Sequence, residues 1–148
     1  MKKNVFILSL LLTVKLFAQT DPVQWNNTVK KIDGNTYEIH LTASVQGSWH
    51  LYSQHTPAGG PVPTTVAFTK NPVVITQGDV KEIGEAVTKR EEVFGIDVKY
   101  FSRAVDFVQL VKTKGKIKTN MTGSVKYMVC NDKECLPPKT VSFQLELK

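Results

Sequence analysis

Cysteine and histidine are scarce in this sequence: two and three residues among 148. That excludes a disulfide-dense scaffold, and no Cys/His spacing of a structural zinc site occurs, so no metal is expected. No stretch approaches the ~18 consecutive apolar residues of a membrane-spanning helix. Sustained runs of one charge are missing too. Lys112, Lys114, Lys116 and Lys118 form the one local basic group, and they flank Gly115. With neither interleaved aromatics nor a helix-borne basic stripe, nucleic acid is not an expected partner. What is present is a globular balance, 41% hydrophobic and 22% charged residues, at a length that suits one core.

The first eighteen positions have the layout of a secretory signal peptide. Lys2 and Lys3 precede a mostly apolar run from Val5 to Val14, and the composition turns polar after Ala18. Cleavage is expected after Ala18, giving a signal peptide at 1–18 and a domain at 19–148. Loss of Lys2, Lys3 and Lys15 lowers the formal charge from +6 to +3. The exported protein is then only mildly basic, periplasmic or secreted, with no stable membrane insertion.

The remainder alternates with a period of two. Tyr37, Ile39, Leu41, Ala43 and Val45 take every second place, with Glu38, His40, Thr42 and Ser44 between them. That is a strand with one face on a core. Val66–Phe68, Val73–Thr76, Val98–Phe101, Val105–Val111, Ile117–Cys130 and Val141–Leu147 read as further strands. Asp33-Gly34, Gly59-Gly60-Pro61, Gln77-Gly78-Asp79 and Lys114-Gly115 read as turns. The lysine cluster is expected on a solvated hairpin. Seven or eight short strands of this kind predict an all-β, immunoglobulin-like β-sandwich. Gly47 to Thr65 is the least regular part. There Trp49 is expected in the core, and His50 and His55 in solvent.

The two cysteines close the segment Cys130-Asn131-Asp132-Lys133-Glu134-Cys135, whose polar centre suits a tight turn. In an exported protein the pair is expected to be oxidised. As a staple it would be weak: closing about six residues gains only ~2 kcal/mol, against ~4.7 for a 100-residue loop. Parity sets Cys130 on the face opposite Val125, Tyr127 and Val129, so it need not belong to the core, and an accessible disulfide is open to thiolate attack. Lys133 would favour a thiolate while Asp132 and Glu134 would oppose it. The residues alone leave reagent and staple both open.

Three segments in order carry a resemblance. They are Trp49-His50-Leu51-Tyr52-Ser53, Glu91-Glu92-Val93-Phe94-Gly95, and Tyr127 to Pro138 with its cysteine pair. With them, residues 23–148 resemble the N-terminal periplasmic domain of the thiol:disulfide interchange protein DsbD. The resemblance implies an immunoglobulin-like fold and a redox-active pair, Cys130 and Cys135, with no cofactor. It implies electrons received from a thioredoxin-like domain fed by a membrane-embedded one. These then pass to thioredoxin-fold partners such as disulfide isomerases and proteins of cytochrome c maturation. Glu91, Glu92, Val93, Phe94 and Gly95 would be the cap loop over the pair, and Tyr52 an aromatic lining the site. Cys135 would form the mixed disulfide and Cys130 resolve it.

Three departures stand out. The cysteines enclose four residues, one fewer than in the best-known members. The first covering position is Val93 rather than an aromatic. No membrane or thioredoxin-like domain follows Lys148, so the membrane electron donor is expected to be a separate chain. The competing reading is a secreted β-sandwich binding module whose disulfide only staples a hairpin.

Overall fold

The computed structural model describes residues 21–92 and 94–148. The signal peptide expected at 1–18 and the covering residue Val93 lie outside the described residues. The alternation at 37–45 forms Thr36–Val45 (β2), with Tyr37, Ile39, Leu41 and Ala43 buried. Ahead of it runs Val23–Asp33 (β1), which the sequence reading did not foresee. Asn26, Asn27, Lys30 and Lys31 interrupt its alternation. The strand forms because it pairs along its length with β2, at the sheet edge where polar side chains stay solvated.

Three more strands build the large sheet around a long central one. They are His50–Tyr52 (β3), Val74–Glu91 (β5) and Ile96–Thr113 (β6), with Thr65–Phe68 (β4) passing to the second sheet. β5 pairs with β6 over nearly its whole length, while β2 pairs with residues 104–112 of β6 and β3 with residues 100–101. Since a strand has two edges, β2 and β3 must lie end to end along the edge opposite β5. Val129–Cys130 (β8) continues the large sheet beyond β3. Thr119–Tyr127 (β7) and Lys139–Leu147 (β9) complete a small sheet ordered β4-β7-β9. The architecture is the expected all-β, immunoglobulin-like sandwich.

Several local expectations are corrected. Nine strands, not seven or eight, lie among the described residues, and β5 and β6 have 18 residues each. Gln77-Gly78-Asp79 does not end a strand. The register shifts between Gln77 and Lys81 while β5 continues, and Gly78 takes φ 68°, so the turn signal marks a bulge. The lysines around Gly115 do not sit on a hairpin, because β6 and β7 belong to different sheets; the segment arches between them. Gly47 to Thr65, the least regular part of the sequence, contains β3 and ends at the first residue of β4.

The main core lies between the sheets. Ile39, Leu41, Phe107 and Val111 from the large sheet meet Met121, Val125, Phe143 and Leu147 from the small one. Each large apolar side chain so buried contributes on the order of 2 kcal/mol of transfer free energy. Trp49 packs partly buried against this core, as expected. The chain leaves it at Met128, where it crosses from the small sheet to the large one. That crossing carries Val129 into the main core and Cys130 out of it.

Candidate functional site

Beyond β8 the backbone turns back on itself. Asn131 Oδ1 accepts hydrogen bonds from the N–H groups of Lys133 (2.8 Å) and Glu134 (2.9 Å), and its own N–H donates to the Glu134 carbonyl at 2.9 Å. An asparagine that hydrogen-bonds backbone two residues on closes such a turn locally. Leu136 N–H then donates to the Val129 carbonyl at 3.0 Å, so the segment folds as a tight hairpin tip. Cys130 and Cys135 face each other across it and are joined as a disulfide.

The two sulfurs sit in different surroundings. Cys130 is 2% exposed and clusters with Tyr52 and Val98; Cys135 is exposed on the return arm. Parity holds in that Cys130 stands off the main core. The expectation of an accessible Cys130 is corrected, because β3 and β6 build a second apolar cluster over it. Accessibility belongs to Cys135.

Both cysteines line an open pocket of about 570 Å³ together with His50, Tyr52, Phe94 and Tyr100. His50, expected in solvent, is half-buried on β3. Its ring stacks on Tyr100 with centroids 4.3 Å apart, and its Nε2 lies 3.1 Å from the Tyr52 hydroxyl. His50 and Tyr52 are two residues apart on a strand and so share a face. That spacing within Trp49-His50-Leu51-Tyr52 was the signal available for His50. Nothing comparable marked Tyr100, which reaches the site through the pairing of β3 with β6.

Burial and charge tune these groups. Burial, then the negative charge of Glu91 and the nearby Tyr100, push the Tyr52 phenol up to about 12, so it stays a neutral hydrogen-bonding group. Burial lowers the His50 imidazole below its usual value, with Lys89 adding to the effect and Glu91 and Asp132 opposing it. The imidazole is therefore neutral near pH 7 and retains a lone pair.

The expected cap segment forms the tip of the β5–β6 hairpin. The Glu91 carbonyl accepts hydrogen bonds from the N–H groups of Phe94 (3.1 Å) and Gly95 (2.8 Å). Gly95 turns the chain with φ 66°, a conformation glycine adopts without penalty. Glu91 and Phe94 line the pocket, while Glu92 is exposed. Phe94 itself is 40% exposed. Across from it, a Cβ at Gly60 would come within 2.5 Å of Ile96 Cδ1, so the missing side chain leaves room for the hairpin tip.

The loop bearing Gly60 is tied down from beneath. Glu82, its side chain 3% exposed, accepts hydrogen bonds from Ser53 Oγ (2.7 Å) and Gln54 N–H (2.6 Å) and faces Lys99 Nζ at 3.6 Å. A buried carboxylate is tolerated only when satisfied in this way. Asp21 secures the other side of the cysteine hairpin. Its carboxylate accepts from the Tyr127 hydroxyl at 2.5 Å and Lys139 Nζ at 2.6 Å. Burial opposes its ionisation, but these bonds and one from Val23 N–H outweigh it and hold the carboxyl below its ordinary value.

A disulfide and its dithiol exchange two electrons through their own sulfurs, so the chemistry available here needs no bound group. Among the described residues no cluster of three or more His, Cys, Asp or Glu is placed to hold a metal, and no helix is long and apolar enough to cross a membrane.

A β-sandwich with a disulfide at a loop tip, one sulfur buried and the other exposed beside an aromatic pocket, defines a class: a thiol–disulfide exchange module. Residues 17–147 match the family model described as "Thiol:disulfide interchange protein DsbD, N-terminal", and the chain belongs to that family. Two solved structures share the fold. The N-terminal periplasmic domain of ScsB from Proteus mirabilis superposes with TM-score 0.58 at 18% identity over 88% of this chain. The N-terminal domain of Neisseria meningitidis DsbD in its reduced form gives TM-score 0.51 at 12% identity, covering 81% of this chain and 82% of that one. The chain spans about half, 47%, of the ScsB structure's length. No curated protein matches the sequence.

Proposed function

We propose that this protein is a periplasmic electron relay between thioredoxin-fold partners, working through Cys130 and Cys135. Secretion through the leader at 1–18 and a mature domain at 19–148 belong to this reading. The observation that carries it is the unequal exposure of the two sulfurs. Only Cys135 is presented to an incoming thiolate or disulfide, so Cys135 forms the mixed disulfide. Cys130, held beneath Tyr52, stays within reach to resolve it. Family membership supports the exchange reading as a whole.

In this reading Glu91 to Gly95 acts as a cap. Phe94 stands at the pocket wall on a four-residue tip that a docking partner displaces at modest cost. A membrane electron donor supplies the reducing equivalents.

Two measurements test the proposal. Equilibration with glutathione or dithiothreitol buffers is expected to give a reduction potential above about −300 mV; one well below that marks an inert staple. Cys130→Ala is expected to trap a thioredoxin-fold protein on Cys135. If neither cysteine variant ever captures one, the relay is wrong.

A further inference from the structure

Resolution of the mixed disulfide requires Cys130 to lose a proton, and its surroundings make that difficult. Cys130 is 2% exposed and packs with Tyr52 and Val98, and a thiol buried beside apolar side chains favours its protonated form. Cys135 has no such difficulty, being exposed. A base is thus needed for one sulfur of the pair and not for the other.

His50 is placed to be that base. It is the direct cross-strand partner of Cys130 in the β3–β8 pairing. Residues so opposed project to the same face of the sheet with Cβ atoms about 4.5–5.5 Å apart. The imidazole is held by stacking on Tyr100 and by its bond to the Tyr52 hydroxyl. With Nε2–H donating to that hydroxyl, the lone pair remains on Nδ1, which has no hydrogen-bond partner among the described residues. Charged and titratable groups line the pocket around the ring from four places. Lys89 and Glu91 come from β5, Asp132, Lys133 and Glu134 from the cysteine hairpin, the phenols of Tyr52 and Tyr100 from β3 and β6, and the two cysteine sulfurs from the site itself. Glu91 and Asp132 favour an imidazolium formed there; Lys89 opposes it.

We propose that His50 is a catalytic base for the buried cysteine, taking the Cys130 proton in the step that resolves the mixed disulfide. The inference rests on the exchange reading above. In the first step the Cys135 thiolate attacks a disulfide; one sulfur–sulfur bond breaks, one forms, and a thiolate leaves. In the second, Cys130 S–H passes its proton to His50 Nδ1 as its sulfur attacks Cys135 Sγ. The Cys130–Cys135 bond closes, the second thiolate leaves, and the imidazolium returns its proton to solvent. Two electrons have passed from the pair to the incoming disulfide.

The test uses the full chain, pre-reduced, and 5,5′-dithiobis(2-nitrobenzoate) under stopped flow. Attack by Cys135 releases the first thionitrobenzoate and resolution by Cys130 the second, so the two steps are read separately. In the native protein the second phase is expected to fall off as pH drops through the His50 titration, below about pH 6.5. In His50→Phe, which keeps the ring stack, the second phase should slow roughly tenfold or more at pH 7 and rise steadily with pH. The first phase should be unchanged, which also reports an intact site. Free imidazole should restore part of the second phase in His50→Ala. An unchanged second phase in His50→Phe, or equal slowing of both phases, overturns the role of His50 alone. A native protein that releases only the first equivalent overturns the exchange reading and this proposal together.

Discussion

The molecule holds two apolar clusters of very different size. The main one fills the space between the sheets, with side chains from β1, β2, β6, β7 and β9 joined by Leu51 of β3, Val74 of β5 and Val129 of β8. The other consists of Tyr52, Val98 and Cys130, bordered by Ile96, Tyr100 and Met128. The first joins distant segments and carries the stability. The second is built from β3, β8 and the first residues of β6, and it surrounds the Cys130–Cys135 disulfide. In the proposed relay, this division lets the site change covalent state with little disturbance of the larger cluster.

The largest effect that would test this division lies in the main core. Phe107→Ala should cost about 3–5 kcal/mol in urea denaturation, while the alkylation rate of the reduced pair in folded protein stays at its native value. If that rate changes greatly, the clusters are not separate. Reducing the disulfide should cost less, about 2 kcal/mol, because the closed loop is short. A loss comparable to that of Phe107→Ala would make the disulfide a principal staple.

Asp21 is bonded to Tyr127 of the main core and to Lys139, and its contribution depends on pH. Its folded carboxyl is held below the unfolded value, so the stability it adds is present above about pH 4 and is lost as pH falls through the folded value. Asp21→Asn should therefore be less stable than the native chain at pH 6, and the gap should close in acid. A gap independent of pH would mean that packing, not ionisation, matters there. The smallest effect on stability belongs to Phe94→Ala, whose side chain is well exposed. It should leave the unfolding midpoint nearly unmoved yet speed iodoacetamide reaction of the reduced cysteines severalfold; an unaltered rate would remove Phe94 from the cap.

Much of this was legible in the residues. β2 and β9 announce themselves by strict alternation, because each buries one face on the core and leaves the other in water. The cysteine turn was visible from its polar centre. β1 and the outer half of β5 were not, since both lie at edges where pairing with a neighbour replaces an apolar pattern of their own. His50 was read as solvated because its burial comes from Tyr100, fifty residues away and brought beside it only by strand pairing. Likewise the unequal exposure of the cysteines depends on the crossing at Met128, which face parity within one strand does not reveal.

The outer edge of β5 has a consequence for how copies of the protein meet. Among the described residues β5 pairs with β6 alone, so an 18-residue strand presents an open row of backbone donors and acceptors. Such an edge invites a second copy to zip onto it. Here the bulges after Gln77 and Gly84 break its regular spacing, and Lys81, Lys89 and Arg90 place charge along it. Ile83 and Val87 remain exposed between those charges, at 59% and 43%. The bulged backbone and the charges along it thus disfavour edge-to-edge zipping of one copy onto another.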